Sequence, residues 1–598
     1  MTKREFMRMS AAASGWGLAA RAGHAAAAAS LAARVQAVEL ERAELKPMEP
    51  QVVQFRSGIY GDLQPLALCA TDLSPAPKPI MVELIPGTLQ GIRQAADDCL
   101  RICRAALDRG RACVALRPSG RGNGSLFEGY GEADVFEAIA AVRARIAIDP
   151  DRISVRGSSM GGAATWFHAA RYPDFWSAAA PHCGYCDYTL WEKPGGSTFP
   201  MQPWEEFSWI ARSAAFCPEN LRNVALHVTH GEWDRAVGGG VSVEHSRGMA
   251  RRLAQLGIAH RYTEVPKLGH EALPEELWKT ITLWLLEQRR VAQPDRVSLA
   301  VHTLRHNRSH WVAVEEQAIY GAVSRVDARF APRTARVAVT TENVRRIAFG
   351  PLPEAAGVEV RIDGTSFARL DLAAGAREFM RGKQGAWVRA ERTAPGGNKR
   401  HGLSGPFGDL FIEPTVVVHG QSGSDAENHF NESVATNAVR FFNRFNGGVH
   451  RGGILGENSV PIPVLSDVRM LDLVERDSAP GPPAQGVVVD KALLTRANLI
   501  FVGNYRSNAA LAQLARRLPL VFGKGRVELG GKAFTAAHLA FAAVFPHPDN
   551  RRYVGVLGGS EPDAICWGSH LNLQLLPDYL VFDRARVVDW GFWSAAWR

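Results

Sequence analysis

The 598-residue sequence predicts an α/β protein built in three parts, and three observations lead to this fold class. Strand-like and helix-like segments alternate over residues 51–292, which is typical of a mainly parallel sheet with helical crossovers. Residues 296–393 change to short alternating stretches, as in a small β-sandwich-like domain. From 399–598 the α/β alternation returns. A Pro-containing linker at 293–295 and a Pro- and Gly-containing linker at 394–398 separate the three parts.

In the first part, the spacing of apolar residues predicts each element in turn. Ile92, Ala96 and Cys99 recur at helical spacing, and Gly110 ends that helix. Short apolar runs between turn residues predict strands. We expect strands at 80–85, 112–116, 176–180, 224–228 and 261–265, and helices near 92–107, 135–146, 243–256 and 277–290.

The second and third parts follow from the same reasoning. Alternating stretches at 337–341 and 358–362 predict sandwich strands. The Gly-rich segments 419–424 and 555–560 contain no G-x-G-x-x-G or Walker pattern, so we interpret them as packing turns rather than phosphate-binding loops. In the third part we expect strands at 415–418, 499–502, 553–557 and 579–582, and a helix around 431–445.

A G-x-S-x-G pentapeptide at 157–161 indicates that Ser159 is a nucleophile. A β-prone run precedes it and a helix-compatible stretch follows it to Tyr172, which is the layout of a nucleophile elbow. The flanking glycines suit a sharp strand-to-helix turn, where neighbouring Cβ atoms would collide with the sheet and the helix.

Asp234 and His270 are the candidate acid and base. Each follows a predicted strand, and the chain order Ser, acid, His is the order that the α/β-hydrolase fold requires. A serine hydroxyl needs an imidazole to take its proton, and a carboxylate holds that imidazole in the correct tautomer. We expect the backbone N–H of Met160, with that of Gly87 or Thr88, to stabilise the oxyanion. This chemistry requires no metal and no cofactor.

Several motifs resemble the prolyl oligopeptidase family of serine hydrolases. They are Asp-Pro-Asp-Arg-Ile at 149–153, Gly-Ser-Ser-Met-Gly-Gly at 157–162, Arg-Tyr-Pro at 171–173 and H-G-x-x-D-x-x-V at 230–237. The resemblance covers about residues 50–290, and the segments 117–123 and 131–135 further resemble exported bacterial members with long C-terminal extensions. It implies Ser159 as nucleophile, Asp234 as acid and His270 as base.

Two departures from the family pattern bear on the substrate. About 50 residues precede the hydrolase region, too few for the β-propeller of true prolyl oligopeptidases, and Pro86-Gly87 stands where the family has His-Gly. We therefore expect a small ester or peptide substrate, with a preference for carboxylic esters. The alternatives are a serine-type peptidase and a catalytically silent secreted binding protein. The insertion at 182–220 is the expected pocket wall, with Trp191, Trp204 and Trp209.

The N-terminus predicts export. Residues 1–29 resemble a twin-arginine signal, with Lys3 before Arg4 and a small-residue run after them, and an amphipathic segment at 30–50 predicts a helix over 31–46. The protein is then periplasmic or extracellular; if the signal is not functional, it is cytoplasmic. No further stretch is apolar enough to predict a membrane span.

Composition excludes some classes of function. The net charge of +9 comes from scattered basic residues without an interleaved aromatic stripe, so it predicts solvated surface rather than a nucleic-acid partner. Eight cysteines in so long a chain do not form a disulfide framework. Cys183 and Cys186 have C-x-x-C spacing; a structural disulfide is the alternative to two core thiols, and redox or metal roles are disfavoured.

Overall fold

The computed structural model describes residues 39–598 except 86–88, 122–125, 191–200, 236–239, 391–396, 445–459, 477, 485, 562, 567–570 and 585. The first part has an eight-stranded sheet in the order β1-β2-β4-β3-β5-β6-β7-β8. Its strands are β1 Gln51–Arg56, β2 Leu63–Ala70, β3 Lys78–Glu83, β4 Val114–Pro118, β5 Ile148–Ser158, β6 Ala178–His182, β7 Ala225–Gly231 and β8 Arg261–Val265. The strands from β4 across to β8 are parallel, and β2 runs antiparallel to both of its neighbours.

Helices cover both faces of this sheet. They are α1 Leu89–Leu107, α2 Tyr130–Arg143, α3 Met160–Arg171, α4 Glu206–Arg212, α5 Glu244–Gln255 and α6 Glu275–Glu287. Cys99 of α1 and Trp278 of α6 share one apolar cluster. Val135 of α2, Trp166 of α3 and Met249 of α5 belong to another. This layered α/β-hydrolase fold directs the carboxyl ends of the parallel strands to one edge, where the candidate site lies.

The second part consists of two five-stranded sheets that share one apolar core. One sheet has the order β10-β11-β14-β17-β18 and the other β16-β15-β13-β12-β9. Their strands are β9 Arg296–Val301, β10 Arg308–Ser309, β11 Val312–Gln317, β12 Ser324–Ala331, β13 Arg336–Glu342, β14 Val344–Phe349, β15 Val358–Ile362, β16 Thr365–Leu370, β17 Arg377–Arg381 and β18 Trp387–Ala390. Alternate burial along β12 shows one face toward the core and one toward solvent.

The third part contains a seven-stranded sheet in the order β20-β19-β21-β26-β25-β27-β28 and a three-stranded sheet, β22-β23-β24. The strands are β19 Thr415–His419, β20 Val464–Ser466, β21 Asn498–Val502, β22 Leu520–Gly523, β23 Arg526–Leu529, β24 Lys532–Thr535, β25 Leu539–Pro546, β26 Tyr553–Gly559, β27 Tyr579–Asp583 and β28 Arg586–Gly591. The helices are α7 Asp425–Arg444, α8 Asp467–Glu475, α9 Lys491–Arg496 and α10 Ala509–Ala515. The structure thus combines α/β and β-sandwich architecture.

Specific hydrogen bonds join the three parts. The amide of Asn220 donates to the Ala170 and Ala300 carbonyls at 2.9 and 3.1 Å, and its oxygen accepts the Ala300 N–H at 2.6 Å. Tyr60 connects the first part to the third, because its hydroxyl accepts the Thr415 N–H at 3.0 Å and donates to the Thr415 carbonyl at 2.8 Å. Since these groups are largely buried, the junctions resemble protein interior more than exposed surface.

Two local predictions are wrong. The helix expected over 31–46 does not form at 39–46, where the chain makes turns and the Leu40 and Ala43 carbonyls accept hydrogen bonds from the Arg145 guanidinium. The rest of that segment, like the signal expected at 1–29, lies outside the described residues. Most of the Gly-rich segment 555–560 is not a turn but the end of β26.

Within the described ranges, no helix is both long enough and apolar enough to cross a bilayer.

Candidate active site

Ser159 lies at the sharp turn between β5 and α3. Its backbone has φ 56° and ψ −118°, a conformation that is uncommon for a residue with a Cβ atom. Neighbouring hydrogen bonds hold it there: the Ser159 N–H donates to the His182 carbonyl, and the Ala163 N–H donates to the Ser159 carbonyl, both at 3.0 Å. The turn exposes the Ser159 side chain at the carboxyl edge of the sheet.

The glycines of the pentapeptide are required by the close approach of Leu84, the residue that follows β3. A Cβ atom on Gly157 or on Gly161 would overlap the carbonyl oxygen of Leu84. Substitution at either position would displace the backbone that carries Ser159. The sequence motif therefore has a direct steric cause.

Ser159, His270 and Asp234 form a continuous chain of hydrogen bonds. Ser159 Oγ lies 2.8 Å from His270 Nε2, and His270 Nδ1 lies 2.7 Å from Asp234 Oδ2. Asp234 is 1% exposed, whereas the His270 side chain is 26% exposed. The structure thus brings together the three side chains that the sequence singled out, although they lie 75 and 36 residues apart.

Backbone hydrogen bonds hold the two loops that carry Asp234 and His270 against each other. The Trp233 N–H donates to the Leu268 carbonyl at 2.9 Å, and the Lys267 N–H donates to the Glu232 carboxylate at 2.9 Å. Glu232 is therefore engaged away from His270. Asp187, a further carboxylate that follows the same strand as Cys183, accepts from the Thr189 N–H and hydroxyl.

His230 also contacts Asp234, a contact that the sequence reasoning missed. His230 Nε2 lies 3.1 Å from Asp234 Oδ2 and 2.9 Å from the Val241 carbonyl, while Nδ1 faces the Ser246 hydroxyl at 2.8 Å. The Val241 N–H donates to Asp234 Oδ1 at 2.9 Å. Burial alone would raise the pKa of Asp234, but the hydrogen bonds from His230 and His270 outweigh it and lower that pKa to about 2. Asp234 is thus held as a carboxylate.

Cys183 is a second residue that the sequence reasoning did not place in the site. It follows β6, has a left-handed φ of 41°, is 2% exposed and donates its N–H to the Thr229 carbonyl at 3.0 Å. Ligand-type atoms of Cys183, Asp234 and His270 all lie within 4.8 Å of one another. The feature of the sequence that could have indicated this contact is the position of Cys183, which begins a C-x-x-C motif directly after a strand.

Electrostatics couple Cys183 to the imidazoles beside it. Burial raises the pKa of the Cys183 thiol, but hydrogen bonds with His182 and His270 outweigh it and lower that pKa to about 6. The pKa of His270 is raised, first by the hydrogen bond to Asp234 and then by that to Cys183. All eight cysteines are free thiols, and Cys186 donates to the His245 carbonyl at 3.2 Å. The alternative of a disulfide between Cys183 and Cys186 is therefore not realised.

Of the proposed oxyanion donors, Met160 alone lies among the described residues. Met160 is the first residue of α3, where helical N–H groups concentrate positive partial charge. Gly87 and Thr88 lie outside the described residues. A cavity of about 180 Å³ adjoins the elbow, and its lining includes Ser158, His182 and Trp278.

The tryptophans of the insertion have different environments. Trp209 is 4% exposed and belongs to a small apolar cluster that also contains Leu575 of the third part, with Met160 packed against it. Trp204 is half-buried against the core of the third part. Trp191 lies outside the described residues. The Trp209 cluster thus connects the elbow to the C-terminal sheet.

Residues 127–287 match the prolyl oligopeptidase family. This match covers 161 of the 598 residues. The matched segment includes Ser159, Asp234 and His270, and it assigns this part of the chain to the serine hydrolases in general.

An uncharacterized secreted protein from Arthroderma benhamiae is 31% identical over 204 residues, which cover 30% of this chain and 20% of that protein. This chain thus spans about a fifth of the length of that relative.

Two solved structures illustrate the structural similarity. The Staphylococcus aureus fluorophosphonate-binding serine hydrolase F has 15% identity and a TM-score of 0.32, over 41% of this chain and 100% of that one. The Pyrococcus horikoshii acylaminoacyl peptidase also has 15% identity and a TM-score of 0.32, over 42% and 43% of the two chains.

Proposed function

We propose that this protein is a serine hydrolase that cleaves an ester or amide bond through an acyl-enzyme intermediate on Ser159. The observation that carries the proposal is the unbroken chain from Ser159 Oγ to His270 and on to Asp234, at 2.8 and 2.7 Å. The serine, base and acid are within hydrogen-bonding reach and in the order that acyl transfer uses.

Each residue has one role in the proposed reaction. His270 Nε2 takes the Ser159 proton as the oxygen attacks the substrate carbonyl, and it returns that proton to the leaving group. Water then hydrolyses the acyl-enzyme by the same route. Asp234 keeps the Nδ1 proton of His270 in place and stabilises the imidazolium. The N–H of Met160, with Gly87 or Thr88, stabilises the oxyanion by about 3 kcal/mol per donor.

Carboxylic esters are the substrate class that we propose first. The described residues 39–50 before the first sheet form turns against it, and no β-propeller lies among the described residues to restrict access to short peptides. The family match favours the second candidate, a serine peptidase. A silent binding protein is the third, and the intact chain of hydrogen bonds counts against it.

Labelling with a fluorophosphonate tests the reaction class without knowledge of the substrate, because the probe needs an activated serine. We expect labelling of the wild type, its loss in Ser159→Ala, and its retention in the matched control Ser158→Ala, whose side chain is exposed and beside the nucleophile. Equal labelling of Ser159→Ala and the wild type would refute the assignment.

Matched ester and peptide libraries test the substrate class. We expect hydrolysis of small activated acyl esters. The half-buried Trp204 is proposed as a pocket wall together with Trp191, so Trp204→Ala should raise KM more than it lowers kcat. Robust cleavage of internal peptide bonds with esters ignored would favour the peptidase instead.

Export completes the proposal. A relative carries the name of a secreted protein, and residues 1–29 resemble a twin-arginine signal. Arg4→Lys should then retain folded, full-length enzyme in the cytoplasm, and an unchanged periplasmic yield would argue against the signal.

A further inference from the structure

We propose that Cys183, His270 and Asp234 form an inhibitory site for Zn²⁺ and similar thiophilic divalent cations, in which the metal holds the imidazole and stops turnover. The proposal rests on the proposed hydrolase function and adds regulation of the same site. Its basis is geometric: a sulfur, an imidazole nitrogen and a carboxylate oxygen lie within 4.8 Å of one another.

The three donors suit zinc rather than a hard cation. Thiolate, imidazole and carboxylate are the protein ligands of Zn²⁺, whereas Mg²⁺ and Ca²⁺ prefer oxygen alone. One thiolate and one carboxylate also balance the charge of the ion, and neutral imidazole adds none. A neutral complex is favourable here because Cys183 and Asp234 are both almost completely buried. The fourth position is left for water.

Two of the three ligands are held in place before any metal arrives. Asp234 is fixed by the Val241 N–H and by His230. Cys183 is fixed through its N–H on the Thr229 carbonyl, and the next residue, Gly184, packs so closely on Gly162 that a Cβ atom there would overlap it. The contact leaves the Cys183 backbone little room to move.

His270 is the ligand that can adjust. Its side chain is 26% exposed, the most accessible of the three. Donor atoms in a tetrahedral zinc site lie roughly 3.5 Å apart, a spacing to which the more accessible imidazole can adjust more readily than the two buried ligands.

Inhibition follows whether the metal binds Nε2 or Nδ1 of His270. A metal on Nε2 occupies the lone pair that must accept the Ser159 proton, and a metal on Nδ1 replaces the proton shared with Asp234. In both cases the metal exchanges bound waters for bonds to Cys183, His270 and Asp234, and the thiol proton leaves to solvent. When the metal binds Nδ1, the proton of that nitrogen moves to Nε2, so the imidazole stays neutral and has no lone pair left for the Ser159 proton. The step involves no change of oxidation state, so removal of the metal by a chelator restores the enzyme.

Inhibition by Zn²⁺ in metal-buffered solution tests the proposal on the full chain. Each variant is compared with its own chelator-treated rate of ester hydrolysis. We expect Cys183→Ala to raise the half-inhibiting concentration by about 100-fold, since even an outer partner of a metal ligand is worth 10- to 100-fold in affinity. Cys186→Ala is the matched control, because this neighbouring thiol faces the His245 carbonyl, and it should be inhibited like the wild type.

Cobalt gives a readout that does not depend on hydrolase activity. Co²⁺ bound to a thiolate produces a sulfur-to-metal charge-transfer absorption, which we expect in the wild type, Ser159→Ala and Cys186→Ala but not in Cys183→Ala or Cys183→Ser. Thermal unfolding of the two Cys183 variants shows whether they are folded. If no substrate is cleaved but the absorption appears, the proposed function fails and the metal site stands. If the wild type lacks the absorption, or if Zn²⁺ inhibits Cys183→Ala as strongly as it inhibits the wild type, the proposed metal site is wrong.

Discussion

The imidazoles of His230 and His270 both hydrogen-bond to the same oxygen of Asp234, at 3.1 and 2.7 Å. The other oxygen of Asp234 accepts the Val241 N–H. In the proposed mechanism His230 is therefore a positioning residue, because it holds the carboxylate that orients His270. This arrangement leads to the first prediction.

Replacing His230 by Ala should lower kcat by roughly 10-fold and shift acid unfolding to higher pH. The hydrogen bond from His230 helps to depress the pKa of Asp234, so its loss raises that pKa. A carboxylate with a depressed pKa stabilises the fold above the unfolded-state value of about 4 and loses this contribution as the pH falls through the folded-state value. Thermal unfolding between pH 2 and 6 measures the effect.

The control for that prediction is His230→Gln, which retains an N–H donor. Partial recovery of both kcat and acid stability is expected. If Ala and Gln variants behave alike and neither differs from the wild type, His230 is a packing residue.

Asp234→Asn should lower kcat by about 10⁴ with little change in KM, because the amide favours the wrong tautomer of His270. Steady-state kinetics on an activated ester measure both constants. Glu232→Gln is the matched variant in the same loop, and its carboxylate binds the Lys267 N–H instead. If Glu232→Gln lowers kcat more than Asp234→Asn does, Asp234 is not the acid.

Cys183→Ala should move the acidic limb of the kcat/KM profile to lower pH. His270 acts as a base only when it is neutral, and Cys183 contributes to raising its pKa. Removing the thiol lowers that pKa, so the neutral form persists in more acidic solution. Cys186→Ala should leave the profile in place. A shift toward higher pH in Cys183→Ala would contradict the coupling.

Asn220→Ala should lower the free energy of unfolding by about 1–3 kcal/mol, because it leaves buried backbone groups of Ala300 and Ala170 without their partner. Asn223→Ala is the control at the same junction, where the amide makes a hydrogen bond to the Arg296 carbonyl and is less buried. Denaturant unfolding compares the two. Equal effects would show that Asn220 has no special part in joining the first two parts.

The sequence was most informative where a local rule has a steric or chemical cause. The spacing around Ser159 is fixed by the approach of Leu84, and the order Ser159, Asp234, His270 follows from strands whose carboxyl ends share one edge. The glycine spacing and the order of the three residues can both be recognised in the sequence without knowing which strands pair.

The contacts that were missed depend on pairing between distant strands. Cys183 reaches His270 because β6 lies beside β7, and β7 beside β8. Arg145 donates to the Leu40 carbonyl, in the segment where a helix was expected, from a position 105 residues away. Periodicity within one segment contains no information on such tertiary partners.

Leu575 lies in the same apolar cluster as Trp209, against Met160, and its carbonyl accepts the Ser208 hydroxyl at 3.1 Å. A short 3-10 turn near the end of the chain, Leu573–Leu575, thus packs beside Met160, the residue that follows Ser159. Recombinant fragments that stop at the linker near residue 395 would expose this apolar patch to water. Engineers seeking a minimal catalyst from this chain should retain the C-terminal sheet or redesign the surface it leaves behind.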